Sequence, residues 1–331
     1  MTVDALEFEE PVAILQKEIQ AMRLMPPTPE RLASIARLDA RVRELRAEIF
    51  SHLTPWQRVL VARHADRPVM LDYVGRLFTG FTELHGDRRF GDDKAIVTGM
   101  AHFHGQPVFI VGHQKGSDTK QKIYRNFGYA KPEGYRKALR VMRLAEKFKQ
   151  PVIVFVDTPA AFPGVESEER GVAEAIALNL REMALLDTPI IVVVSGEGGS
   201  GGALGIAIGD RILMQEFAVF SVIPPEGCAA ILWRDAARKV EAAEALKITA
   251  PDLLAMQVID EIVPEPLGGA HQDHAAATAL LDEAIARHLA EVSAMSGPDR
   301  LEARYQKFRS IGRLDHAFTD ESAGAAATPA E

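Results

Sequence analysis

The chain is 331 residues long, 47% apolar and 25% charged, with a formal net charge of −8 and a pI near 5.7. That length supports one large domain or two ordinary ones, and the acidic balance argues against a general nucleic-acid or membrane-surface binder. One cysteine, Cys228, excludes a disulfide framework or a cysteine-rich zinc site within the chain and is read as a small buried side chain.

In chain order, the first ten residues are acidic and lack the apolar run of a secretory leader. No segment approaches the roughly 18 apolar residues of a membrane span, so a cytoplasmic location is expected. Val12, Leu15 and Ile19, then Leu32, Ile35, Leu38, Val42 and Leu45, recur at helical spacing on either side of Pro26-Pro27. This predicts an N-terminal helical hairpin or docking arm over residues 1–50. Thr54-Pro55 opens another helix, and a further one is predicted over 70–84.

From Lys94 the period changes. Residues 95–103 and 107–111 read as strands joined at His104-Gly105. A helix through Phe148, a strand at 151–156, a long helix at 168–186 and a strand at 189–194 follow. Beyond Gly205 come strands at 211–214 and 217–223, helices near 227–235, 237–247 and 250–256, a strand at 258–263 and a helix at 272–293. The main domain is placed at 51–295. Residues 296–331 are given one helix near 299–311 and a tail whose composition, at 318–331, predicts disorder. Strands separated by helices give an α/β class, with strand, strand, helix as the recurring order.

The stretch Ser195-Gly-Glu-Gly-Gly-Ser-Gly-Gly-Ala-Leu-Gly205 puts six glycines into eleven positions directly after an apolar strand. Glycine costs conformational entropy in ordered chain, so its use here needs a reason. Gly196, Gly198 and Gly201 fit a dinucleotide fingerprint, but the helix that follows is too short for that crossover. Gly198-Gly-Ser-Gly-Gly202 fits a nucleophile elbow, yet His271, His274, His288 and His316 downstream lack a persuasive acid partner. A P-loop fails for want of Gly-Lys-Ser/Thr. A tight packing turn remains open, and so does a chemical use of bare amides. N–H groups at a helix start form an anion cradle, and aimed at developing charge they make an oxyanion hole. A second strand–turn–helix junction, Asp157-Thr-Pro-Ala-Ala-Phe-Pro-Gly164, supports the chemical reading. Asp157 is read there as a structural acceptor of backbone hydrogen bonds.

Gly86-Asp-Arg88, Asp92-Asp-Lys-Ala-Ile-Val97, Gly112-His-Gln-Lys-Gly116, Asn126-Phe-Gly128 and Pro132-Glu-Gly-Tyr-Arg-Lys-Ala-Leu139 occur in a distinctive order. So do Asp157-Thr-Pro159, Pro163-Gly164, Glu168-Glu-Arg-Gly171, the glycine stretch, Pro225-Glu-Gly-Cys-Ala229, Ile231-Leu-Trp233 and Ile262-Val-Pro-Glu-Pro-Leu-Gly-Gly-Ala-His271. Through them the chain resembles the α-subunit family of bacterial acetyl-CoA carboxylase carboxyltransferases, over most of its length. The resemblance implies a crotonase-like superhelix of strand–strand–helix turns. It implies carboxyl transfer from carboxybiotin to acetyl-CoA, giving malonyl-CoA, the first committed step of fatty acid synthesis. Biotin is then held on a biotin carboxyl carrier protein, not on this chain, and is loaded by a biotin carboxylase, with ATP used only at the level of the whole complex. A β subunit carrying a zinc ribbon supplies most of the acetyl-CoA site, in an α2β2 assembly, and no metal is expected in this chain.

The same resemblance places the biotin-side donors at the backbone of Gly201, Gly202 and Ala203. Ala160 and Ala161 form a second, subsidiary pair, because the family has glycine where Ala160 stands. Were φ positive there, alanine would be strained; were it negative, the change would be mild. Lys115, Lys120, Lys122 and Arg125, in a basic segment, are read as contacts to CoA phosphates or to a protein partner, with a solvated loop as the alternative. The interleaved Tyr124 and Phe127 also fit single-stranded nucleic acid, against the acidic balance. Gly164, closing the second turn, joins the substrate-binding set. His113 is read as a hydrogen-bonded strand-end residue rather than a base. The competing class is a self-sufficient crotonase-type acyl-CoA hydratase or hydrolase, which needs inward glutamates. Glu166, Glu168 and Glu169 are its candidates. A non-catalytic scaffold is the third class.

Overall fold

A computed structural model of the chain describes residues 6–312, so the tail at 318–331 and His316 lie outside the described residues. After a 3-10 turn at Glu7–Glu9 come α1 (Glu10–Arg23) and α2 (Pro29–Ser51), broken where Pro26-Pro27 predicts. Both open on a proline in the first turn, where its missing N–H costs nothing, and Thr28 caps α2 through the Arg31 amide. Val12, Ile19 and Val42 are buried between the two helices, and Phe50 packs on Phe217 of the body at 5.4 Å.

Next are α3 (Pro55–Ala62), opened by a Thr54–Gln57 capping box, and α4 (Met70–Leu77). The helix expected to reach residue 84 ends at Leu77. The Thr-Gly-Phe-Thr-Glu run instead forms β1 (Thr79–Glu83), because pairing with β2 (Ile96–Phe103) satisfies its backbone better than isolated helix would. β2 and β3 (Gln106–His113) form the expected hairpin, its turn made by His104 and Gly105, both at positive φ. The short α5 (Thr119–Tyr124), capped by Asp118, was not foreseen.

Then follow α6 (Pro132–Lys147), β4 (Val152–Thr158), α7 (Val165–Glu169) and α8 (Val172–Leu185). The single helix expected at 168–186 is two, split where Gly171 adopts φ 75°. β5 (Ile190–Gly199) runs on through the first glycines, further than apolarity alone indicated. It leads into α9 (Ser200–Leu204), β6 (Arg211–Gln215), β7 (Val219–Ser221) and α10 (Pro225–Trp233). The chain closes with α11 (Lys239–Ala245), α12 (Ala250–Ala255), β8 (Glu261–Val263), α13 (His274–Ser293) and α14 (Gly297–Ser310).

The sheet order is β1-β2-β3-β4-β5-β6-β8, with β7 pairing the end of β5. The first three strands are antiparallel and the rest parallel. β4 and β5 are buried along their whole length. Val152, Val154, Val156, Ile190, Val192 and Val194 face one cluster, with Tyr135, Met142 and Met183 of α6 and α8. Ile153, Phe155, Ile191 and Val193 face the other, with Met70, Tyr73 and Leu281 of α4 and α13. Two covered faces explain the unbroken apolar runs. Each such side chain, fully buried, stabilises the fold by about 1.5–3 kcal/mol. The carboxyl ends of these two central strands are thus held rigidly side by side.

Candidate active site

β4 and β5 pair in step from Val152–Ile190 to Val156–Val194, and then the register slips, so that Thr158 meets Gly198. Asp157 fills the slip. Its Oδ1 accepts the Glu197 N–H at 2.9 Å and lies 2.8 Å from Lys115 Nζ. A Cβ on Gly196 would come within 2.4 Å of that oxygen. Past the slip the two turns meet backbone to backbone. A Cβ at Gly199 would lie 1.8 Å from the Pro159 carbonyl oxygen, and one at Gly202 would lie 2.4 Å from both Ala160 C and Ala161 N. Close approach therefore accounts for the glycines at 196, 199 and 202. It also brings the two predicted donor groups, 201–203 and 160–161, into one place.

α9 starts on Ser200 at φ 55°, the left-handed region a non-glycine residue seldom adopts. Gly199 stands at its N-cap without a side-chain cap. The first-turn amides of Gly201 and Gly202 have no carbonyl within the helix to bond. Among the described residues neither finds another partner of ordinary geometry, whereas the Ala203 N–H stands one residue further on, over the Gly199 carbonyl of the N-cap. The carbonyl side differs, because Tyr135 Oη reaches Gly202 O at 3.4 Å and Asn179 Nδ2 donates to Gly205 O at 2.8 Å. Ala160 is not among the residues at positive φ, so its methyl group is unstrained. Thr158 Oγ1 holds that turn against the carbonyls of Gly128 (2.7 Å) and Ala160 (2.9 Å).

A cavity of about 590 Å³ opens beside this junction, walled by Arg63, Lys115, Lys122, Asp157, Glu197 and Glu226. Glu197 is its hub. Arg63 Nε donates to Glu197 at 2.9 Å, Lys115 Nζ lies 3.3 Å from it, and Arg63 also reaches Glu226 at 2.6 Å. Burial alone would raise the Glu197 carboxyl, but Lys115 and Arg63 outweigh it and hold it below the ordinary range. Burial likewise pulls Lys115 down, yet Asp157 and Glu197 keep it protonated. His113 is fully buried at the end of β3, where burial, aided by Lys115, pushes it down to about 3. The neighbouring Gly202 backbone opposes that, but neither ring nitrogen makes a hydrogen bond of ordinary geometry. The expected hydrogen-bonded histidine is thus a buried, neutral and unbonded one.

A family model for acetyl co-enzyme A carboxylase carboxyltransferase-like proteins matches residues 5–312. The chain belongs to that family. It is 59% identical over 310 residues to an acetyl-coenzyme A carboxylase carboxyl transferase subunit alpha from Geobacter metallireducens, covering 93% of this chain and 98% of the relative. It is 62% identical over 274 residues to the same-named protein of Geobacter sulfurreducens, covering 83% and 86%. Among solved structures it is similar to a Pseudomonas malonate decarboxylase hetero-tetramer in complex with coenzyme A (TM-score 0.57, 17% identity, 72% of this chain and 94% of that one). It is also similar to a transcarboxylase 12S core (TM-score 0.55, 21% identity, 66% of this chain and 40% of that one). These two likenesses place the fold in the crotonase-like class.

Within this carboxyltransferase-family chain the remaining expected residues separate. Lys115 and Lys122 line the cavity, but the charge of Lys115 is already matched by Asp157 and Glu197. Lys120 is exposed on α5. Arg125 turns to the Lys94 carbonyl at 3.1 Å and stacks 5.1 Å over the Tyr124 ring, outside the cavity wall. Gly164 is the N-cap of α7, away from the cavity. Glu166, Glu168 and Glu169 are exposed, with Glu166 paired to Lys131 at 2.6 Å, so none is poised over the cavity as a hydratase acid would be. Cys228 is buried and free, among Ala229 and Ala242. The sequence reading missed Arg63, Glu197 and Glu226. Glu197 alone carries charge in the glycine stretch, and that was the available signal.

Proposed function

We propose that this chain is the α subunit of an acetyl-CoA carboxylase carboxyltransferase. It would move a carboxyl group from carboxybiotin, presented on a separate carrier protein, to acetyl-CoA, yielding malonyl-CoA. Membership of the family makes the chain a carboxyltransferase that acts with other subunits. The finer reading is an α2β2 assembly whose β chain brings the zinc ribbon and most of the acetyl-CoA site. Among the described residues no helix is long and apolar enough to cross a membrane.

One observation carries the reading: the uncapped first-turn amides of Gly201 and Gly202 in α9, at the carboxyl end of a central strand. A biotin ureido group fits such a site, because its oxygen needs donors rather than a charged partner. When bound, carboxybiotin supplies the carboxyl group as its N–C bond breaks, a C–C bond forms at the acetyl methyl carbon, and the methyl proton passes to the ureido nitrogen. This chain's part is positional. Gly202 and Ala203 donate to the oxygen that gains charge, each donor being worth about 2.7–4 kcal/mol at the transition state. The Ala160–Ala161 turn, packed against Gly202, keeps that oxygen's surroundings fixed and dry. Asp157 and Lys115 hold the two strand ends together.

The test is reconstitution. The purified chain alone should leave crotonyl-CoA untouched. With a zinc-containing β partner it should catalyse malonyl-CoA-dependent carboxylation of biotin, and Gly202→Pro, which removes an N–H, should abolish that. Full activity in Gly202→Pro refutes the donor role; hydration of crotonyl-CoA by the lone chain refutes the class.

A further inference from the structure

A second polar cluster is buried where the N-terminal segment meets the body. Glu9 comes from the 3-10 turn ahead of α1, His64 from the turn after α3, and His271 from the loop after β8. One ligand-capable atom of each lies within 4.8 Å of the others, and His64 borders the cavity. That spacing invites a metal ion, but the protons argue otherwise. Nδ1 of His64 accepts the Asp66 N–H at 3.1 Å, so the proton of the neutral ring sits on Nε2. That nitrogen has a hydrogen to give, not a lone pair, and the ring lies beside the Glu9 carboxyl, which burial pushes up while the Leu6 amide, His64 and Arg46 favour its charged form. His271 stacks on His64, centroids 4.0 Å apart and planes 18° from parallel, and neither of its ring nitrogens makes a hydrogen bond. Parallel rings set their nitrogens side by side instead of converging them on an ion.

The turn that carries His64 also carries two arginines of the site. Arg63 holds Glu197 and Glu226. Arg67, buried, donates Nε to the Ser195 carbonyl at 2.8 Å and grips Glu265 with both terminal nitrogens at 2.8 and 2.6 Å. Ser195 and Glu197 flank Gly196, in the segment where β5 slips against β4. Residues 63 and 67 therefore brace the exit of β5, while residue 64 reaches back to the N-terminal segment.

We propose that Glu9 is a positioning residue for the carboxyl-transfer site. Through His64 and His271 it fixes the 62–67 turn, and through Arg63 and Arg67 it fixes the strand exit that presents the α9 amides. The proposal rests on the functional reading above only for its kinetic consequence.

Hydrogen exchange read by mass spectrometry on the full chain tests it. In Glu9→Ala, amides of 62–67 and 195–203 should exchange about tenfold faster. Glu9→Gln keeps an acceptor oxygen toward His64, and Asp39→Ala loses only the exposed Arg23–Asp39 pair; both should stay within about threefold of the unsubstituted chain. In the reconstituted complex, well below the melting temperature, Glu9→Ala should lower kcat about tenfold at constant KM, with Glu9→Gln largely restoring it. A purely structural clasp would lower the melting temperature and leave kcat of the folded enzyme alone. Unchanged exchange at 195–203 in Glu9→Ala overturns the proposal, and so does exchange in the unsubstituted chain that responds to zinc or EDTA. Should Glu9→Ala not fold, His64→Gln replaces it: faster exchange at 195–203 supports the proposal and unchanged exchange overturns it. If the unsubstituted complex lacks carboxyl transfer, the functional reading fails, and exchange still decides the clasp.

Discussion

The backbone N–H of Glu197 donates to the Asp157 carboxylate at 2.9 Å, tying two parallel strands together at the point where their register slips. The same carboxylate takes Lys115 at 2.8 Å. One buried side chain thus settles a strand amide and an ammonium group, and the site's two turns are built on it.

Removing that carboxylate should orphan the Glu197 amide and leave Lys115 with only the longer contact to Glu197. Asp157→Ala is expected to destabilise the chain by about 3–5 kcal/mol, as breaking one side of a buried pair does. Asp157→Asn, which keeps an acceptor for the Glu197 amide, should cost less. Urea titrations followed by circular dichroism measure both, and an unshifted midpoint for Asp157→Ala would rule out the tie.

Neighbouring glycines should differ sharply. A Cβ at Gly201 meets only Ile176 Cδ1 at 3.6 Å, an ordinary contact, whereas one at Gly202 collides with the 160–161 backbone. Gly201→Ala should be nearly neutral. Gly202→Ala should cost about 1–3 kcal/mol by overpacking and push the two turns apart, with a larger fall in transfer rate than in stability. Equal tolerance of the two substitutions would contradict the close approach.

At Ala160 the backbone is outside the left-handed region, so alanine stiffens the turn without strain. Ala160→Gly should therefore lower stability, by about 0.4–1 kcal/mol through the freer unfolded chain. A rise in melting temperature would mean that the alanine is strained after all.

Acid should unfold the chain partly through its buried histidines. Burial holds His113 and His271 down to about 3, against 6.5 in the unfolded chain, so the unfolded state binds their protons first. Their contribution is complete above pH 6.5 and is lost as pH falls toward 3, at up to about 1.4 kcal/mol per pH unit for each. Asp93, raised to about 6 by burial, works in the opposite direction between its folded value and 3.8. Denaturation of His113→Gln between pH 4 and 6.5 isolates one histidine. Its stability should fall less steeply with acid than that of the unsubstituted chain, and identical slopes would exclude the buried neutral ring.

Much of the fold was legible because its signals are local. Apolar stripes on either side of Pro26-Pro27, the His104-Gly105 turn and the apolar runs of β4 and β5 each carry their structure within a few residues. Where neighbours decide, the reading failed. Thr79–Glu83 became a strand because β2 lay beside it, and Gly171 split a helix whose apolar spacing continues across it. For Lys115, read as a ligand contact, tertiary structure adds what the sequence lacked: it lines the cavity with its charge matched by Asp157 and Glu197.

By itself, then, the sequence determined an α/β chain with bare backbone at two strand exits, and through its motifs the family to which it belongs. A run of glycine announces that something must come close, since each missing side chain is written in the chain. What comes close was decided by the sheet order. Only when β4 and β5 lie side by side do Pro159 and Ala160 press on Gly199 and Gly202, and only then do Arg63, Lys115 and Glu197, distant in sequence, share one cavity. Hydrophobic period and turn chemistry act over a few residues, but an ion pair or a backbone contact exists only once the packed layers have fixed which distant segments meet.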